Sequence, residues 1–91
     1  MTYFVYLIGS YIKKKFITYV GYTNNLKKRI NLHNSSKGAK FTRGKKWKLI
    51  YYKKYESKID AMKNEYKLKK NYILRKRLKK NFYENINSIT I

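Results

Sequence analysis

The chain has 91 residues, of which 24 are Lys or Arg and only four are Asp or Glu, giving a formal net charge of +20. That length supports one small domain with a modest core, and the absence of Cys excludes both a disulfide framework and a Cys-based zinc site. A single His argues against a His-rich zinc site, no apolar run approaches the roughly 18–20 residues of a membrane span, and no basic head precedes the first apolar run, so a soluble intracellular protein without a signal peptide is expected.

Lys, Asn, Ile and Tyr are all abundant, as an AT-rich coding sequence would produce, but that bias does not explain why Glu56, Asp60, Glu65 and Glu84 are the only acids. A surface this unbalanced repels itself and attracts polyanions. Nucleic acid is the expected partner, ahead of an anionic membrane surface or of charge serving solubility alone.

The first element expected is a strand over residues 3–8, a continuous apolar and aromatic run suited to a central position covered on both faces. Gly9, Ser10 and the run Lys13-Lys14-Lys15 mark a turn region leading to a second strand over 16–22, so the two form a β-hairpin. Gly21 punctuates the end of that strand, as glycine does where backbone turns or a group comes close. Thr23, Asn24 and Asn25 are residue types that cap a helix N-terminus. A helix from Leu26 to about Asn34 follows, in which Leu26, Ile30 and His33 share one face and Arg29 borders it one turn before His33.

Residues 35–46 form a polar loop with two glycines, no acid and five cations: Lys37, Lys40, Arg43, Lys45 and Lys46. Either it is a solvated connector or those cations contact backbone phosphates; the uniform sign favours the contact. The third strand spans 47–55, and Trp47, the only Trp, is read as a core anchor in preference to a base-stacking group. Ser57 with Asp60 resembles a capping box and opens the next helix. On it Ile59, Met62 and Tyr66 group on one side, Ala61, Leu68 and Tyr72 on another, and Glu65 falls between them. An inward carboxylate there needs a cation or donors, which leaves a catalytic or metal-binding group, or a structural salt bridge to one of many lysines. Residues 72–81 make a basic amphipathic helix with Arg75, Lys76, Arg77, Lys79 and Lys80 around Leu74, Leu78 and Phe82; residues 85–91 read as a frayed tail. No internal repeat is evident.

Tyr19-Val20-Gly21 resembles the Tyr-Ile-Gly half of the GIY-YIG nuclease signature, and Phe4-Val5-Tyr6 resembles the Gly-Ile-Tyr half, departing at its first position. Thr23, Asn25, Leu26, Arg29 and His33 match the family's spacing, and residues 61–69 resemble its Glu-bearing helix with Glu65 in place. The likeness runs from about Tyr3 to Lys70. It implies an α+β fold, a three-stranded antiparallel β-sheet flanked by helices in the order β-β-α-β-α-α, with residues 1–83 as one nuclease-like domain and 84–91 as a C-terminal tail.

The resemblance further implies a metal-dependent endonuclease acting on DNA, in repair or processing, with Tyr6, Tyr19, Arg29, His33 and Glu65 as the catalytic set. Glu65 would hold one Mg²⁺ or Mn²⁺, with waters and substrate phosphate completing an oxygen shell. Arg29 would clamp the scissile phosphate. Tyr6 would be general base or would position the water, its phenolate favoured by the positive field. Tyr19 and His33 would share proton transfer or bind phosphate. Lys37, Lys40, Arg43, Lys45 and Lys46 are the expected substrate contacts. Tyr6 and Tyr19 could instead be core residues, His33 a satisfied core histidine, and Arg29 one more surface cation. The family usually carries an Asn beyond its Glu; Asn71 and Asn81 are the candidates for it, and neither is placed in the catalytic set. No membrane and no small-molecule cofactor are expected; the location would be cytoplasmic, at the nucleoid in a cell without a nucleus, and the enzyme would be selective for structure or strandedness, its substrate choice coming from backbone shape, strand separation or branching, or a partner protein. The alternatives are a non-catalytic nucleic-acid-binding module that keeps the fold, and a small RNA-binding or ribosome-associated protein.

Overall fold

The computed structural model describes residues 2–89, with side chains through Glu84. Three strands and three helices follow one another as β1 (Tyr3–Ile12), β2 (Lys15–Thr23), α1 (Leu26–Asn34), β3 (Lys48–Tyr55), α2 (Lys58–Lys70) and α3 (Tyr72–Ile89), with a short 3-10 turn, Lys40–Thr42, between α1 and β3. The sheet is antiparallel in the order β2-β1-β3, so the most apolar strand is central, as its sequence requires.

Alternation along β1 splits the core into two layers. Val5 and Leu7 point to α2 and α3, where they meet Val20, Ala61 and Leu68, with Leu74 and Leu78 packed alongside. Tyr6 and Ile8 point to the opposite face, with Trp47, Leu26 and Ile30. Trp47 is a core residue, as read from the sequence, and its indole N–H donates to the carbonyl of Thr42 at 3.0 Å.

Three local expectations change. The turn falls in the lysine run of the expected turn region, at Lys13 and Lys14, whose φ values of 47° and 69° give the left-handed backbone of a two-residue loop between the paired Ile12 and Lys15, whereas Gly9 and Ser10 belong to the strand. Gly9 lies inside β1, at a position where any Cβ would collide with the Phe16 ring and with Ile50. On α2, Ser57 caps the helix as expected, accepting from the amide of Asp60 at 3.1 Å. Of the two apolar groups, however, Ala61 and Leu68 dock on the sheet, whereas Ile59 (65 % exposed), Met62, Tyr66 and Tyr72 face outward. Periodicity identifies residues that share a side; which side docks is decided by the close approach that small Ala61 permits. Finally, α3 continues through Ile89 rather than ending near Asn81; Thr90 and Ile91 of the expected tail lie outside the described residues. Its Arg75 is not free for phosphate, since its guanidinium donates to the carbonyls of Leu68 and Lys69 at 3.1 Å each and satisfies the C-terminal end of α2.

Candidate functional site

The site is built where the middle of β1, the end of β2 and the last turn of α1 converge. Asn25 caps α1 by accepting from the amide of Lys28, while Thr23 and Asn25 bond each other across the turn. This orients the helix so that Leu26, Ile30 and His33 face the sheet, the grouping expected from their spacing. His33 is fully buried.

Two contacts fix the imidazole. The hydroxyl of Thr42 donates to the carbonyl of Ala39 at 2.8 Å, so toward Nδ1 of His33, also 2.8 Å away, its oxygen must accept. Nδ1 therefore carries the proton and Nε2 is a free acceptor. The Tyr6 hydroxyl, 2.7 Å from Nε2, is left as the donor. A directed chain results: Tyr6 O–H to His33, His33 N–H to Thr42, Thr42 O–H to a main-chain carbonyl.

Both glycines beside this chain are required by its packing. Gly21 pairs with Tyr6 across the hairpin, and a Cβ on Gly21 would collide with the Tyr6 hydroxyl and ring. A Cβ on Gly38 would press on the His33 ring at Nδ1. The glycine closing Tyr19-Val20-Gly21 is thus the space that the tyrosine of Phe4-Val5-Tyr6 occupies. Tyr19 stands edge-on to His33 at 5.3 Å between ring centroids.

Electrostatics identify the remaining neighbours. Burial pushes the Tyr6 phenol above its ordinary 10.0, while the hydrogen bond and positive charge of Arg29 pull it down and the proximity of Tyr19 and Glu65 adds to the rise. Burial outweighs Arg29, so Tyr6 is a neutral phenol; the expectation that the positive field favours phenolate is corrected. Burial, reinforced by Arg29, lowers His33 to about 4, keeping it neutral at pH 7. Tyr6, Tyr19, Arg29 and His33 are therefore gathered in one place, and Glu65 is close enough for its charge to act on Tyr6.

Glu65 belongs to α2, at the margin of the Ala61–Leu68 stripe, with its side chain 18 % exposed. It forms an ion pair with half-exposed Lys69 one turn on, at 3.1 Å. The salt bridge weighed from the sequence is present, as a pair along one helix whose carboxylate is largely covered and whose ammonium is half-exposed. Among the described residues no three His, Cys, Asp or Glu side chains cluster as metal ligands.

The loop over 35–46 is an organised cover. Asn34 clamps its ends, its side chain accepting from the Trp47 amide at 2.6 Å and donating to the Trp47 carbonyl at 3.1 Å. Ser36 accepts from the amide of Gly44 across the loop. Lys37, Lys40, Arg43 and Lys46 are exposed, whereas Lys45 turns back to donate to the carbonyl of Phe41 at 2.8 Å. Sequence reasoning missed Thr42, Gly38 and Phe41. The isolated Gly38 near His33 was the available signal, since loop glycines mark close approaches.

The family model for the GIY-YIG catalytic domain matches residues 2–81. The chain belongs to the GIY-YIG family. It is 48 % identical over 52 residues to a UPF0213 protein of Oceanobacillus iheyensis, covering 56 % of this chain and 60 % of that one. It is 51 % identical over 53 residues to a UPF0213 protein of Clostridium perfringens, covering 57 % of each. This chain thus spans less than two thirds of the length of these curated relatives. The solution NMR structure of a UPF0213 protein from Bacillus halodurans is similar at 36 % identity, with a TM-score of 0.45 over 85 % of this chain and 80 % of that one. Within the GIY-YIG fold, the motif's two triplets are neighbouring strands of one hairpin, and their residues Tyr6 and Gly21 are cross-strand partners. Among the described residues no helix is long and apolar enough to cross a membrane.

Proposed function

We propose that the protein is a divalent-metal-dependent endonuclease that hydrolyses phosphodiester bonds in DNA. The observation that carries this reading is the directed chain from Tyr6 through His33 to Thr42 with Arg29 beside it. A chain of this polarity can accept a proton at one end without leaving a buried charge unsupported. As the Tyr6 oxygen takes a proton from an attacking water, its own proton passes to Nε2 of His33, and the imidazolium keeps Thr42 as acceptor at Nδ1. A bound phosphate supplies the negative charge that offsets the otherwise disfavoured imidazolium.

Arg29, already beside the Tyr6 oxygen, neutralises charge developing on the phosphate; its guanidinium stays charged at any working pH. Tyr19 packs against the His33 ring and positions it. Glu65 is a hard, partly shielded oxygen donor, which fits a single Mg²⁺ or Mn²⁺ that keeps most of its shell as water and phosphate oxygens. The ion would polarise the scissile phosphate and stabilise the leaving oxygen. Lys37, Lys40, Arg43 and Lys46 would hold the strand by its backbone, and Lys45 would do so on release from its carbonyl. A role in DNA repair or processing, and a cytoplasmic or nucleoid location, fit an enzyme that reads backbone shape more than sequence.

Labelled single-stranded, duplex and branched DNA, incubated with Mg²⁺, Mn²⁺ or EDTA, test the reading. Metal-dependent cleavage lost in Arg29→Ala is expected, with binding nearly unchanged because one cation among 24 is removed. Salt-sensitive binding without cleavage of any substrate would leave a nucleic-acid-binding module instead.

A further inference from the structure

The loop that closes the site also carries an aromatic ring outward. Phe41 sits at the centre of the 3-10 turn Lys40–Thr42, and its neighbour Thr42 is buried and bonded to His33. The ring's position is therefore tied to the proposed proton relay. It lies nearly parallel to Tyr19, with centroids 6.1 Å apart and an interplanar angle of 19°, and Trp47 borders it at 6.3 Å. Even so, Phe41 remains 52 % exposed.

Cations surround this ring. Lys40 and Arg43 flank it in sequence and are exposed, and the Lys45 ammonium is 5.2 Å from the ring centroid. An aromatic surface propped on a second ring and set among cations has two complementary parts: charge for a phosphate backbone and a π-face for a base. Bases in an intact duplex hide both faces in the stack, so only an unpaired or extruded base can use the ring.

We propose that Phe41 is a stacking platform for an unpaired nucleobase next to the phosphate that Arg29 engages, making the loop a reader of strandedness. This rests on the nuclease reading for why a strand lies there, but stacking itself needs no turnover. It gives the chain a means of choosing single-stranded or locally opened substrates that its backbone-binding lysines lack.

Binding measured in EDTA on the full chain tests the platform independently of cleavage. Phe41→Leu keeps an apolar side chain on Tyr19 but removes the π-face, and Phe41→Trp enlarges it. Affinity for a single strand should fall about five- to hundredfold in Phe41→Leu, the range that base–aromatic stacking spans. Phe41→Trp should retain it, and affinity for a blunt paired duplex should stay within about twofold in both, since stacking contributes only to unpaired bases. Light-induced crosslinking of a strand carrying 5-bromouracil should map to residue 41. Unchanged single-strand affinity in a folded Phe41→Leu protein, confirmed by its melting curve, would overturn the platform, and so would an equal loss on duplex. A chain that cleaves nothing yet shows the selective loss retains the platform and refutes the nuclease; one that cleaves but binds alike in every variant does the reverse.

Discussion

The Tyr6 hydroxyl and Nε2 of His33 lie 2.7 Å apart, joining the central strand to the last turn of α1 through the middle of the domain. The direction of that bond is set from its far side. Thr42 gives its proton to a carbonyl and so leaves Tyr6 as the only donor to His33 among the described groups. A loop residue with no contact to the reacting atoms thereby decides which way the proton moves.

Tyr6→Phe deletes the donor and leaves Nε2 of a buried histidine unpaired. Cleavage should be lost, and unfolding by urea should show a destabilisation of about 1–3 kcal/mol, the cost of one unsatisfied buried acceptor. Full stability with lost activity would show that water reaches Nε2.

Thr42→Val removes the acceptor that holds the proton on Nδ1. NMR of the ring nitrogens should report a mixture of tautomers where the unaltered chain shows Nδ1–H alone. Cleavage should fall about ten- to a thousandfold without loss of DNA binding, because general acid–base assistance is the step affected. An unchanged tautomer would remove Thr42 from the relay.

Stability should depend on pH through His33. Its folded value of about 4 lies below the ordinary 6.5, so between these the unfolded chain binds more protons than the folded one. The contribution is complete above pH 6.5 and lost as pH falls toward 4, amounting to about 1–3 kcal/mol. Melting temperatures across this window should flatten in His33→Gln.

Glu65→Gln removes the charge while keeping volume. The pair it breaks joins a largely covered carboxylate to a half-exposed Lys69 that water can solvate on its own, so the cost in stability should stay below about 1 kcal/mol. Cleavage should vanish at every metal concentration, and DNA affinity should hold or rise. A destabilised but active variant would sink the assignment of Glu65 to the metal.

Much of this arrangement was legible in the sequence because it is local. Thr23 and Asn25 announce the start of α1, and the spacing of Leu26, Ile30 and His33 gives its inward face. The lysine run marked the turn, but not its left-handed backbone or its two-residue length, since lysine carries no signal for either; the pairing of Ile12 with Lys15 imposes both. Nor could the sequence choose between two apolar stripes of α2, because Ile59, Met62 and Tyr66 look as inward as Ala61 and Leu68 until the sheet is present. The meeting of Thr42 with His33 depends on a folded loop clamped by Asn34 and Trp47, contacts that no periodicity encodes.

Gly21→Ala should be more damaging than a strand position normally allows, since its Cβ meets a fully buried Tyr6 with nowhere to move. Overpacking of this kind costs about 1–3 kcal/mol, and the double variant Tyr6→Ala, Gly21→Ala should recover part of the packing loss.

That interlock between Tyr6 and Gly21 also has a history built into it. A descendant released from its present task could lose the tyrosine first, and the glycine would then drift freely into any residue the vacated space accepts. The opposite order runs through an overpacked ancestor, because the larger residue arrives while the ring still fills the gap. The two positions are therefore tied in their drift: Gly21 is free to change only after Tyr6 has gone, and while the tyrosine stays, every larger residue at 21 carries the cost of overpacking.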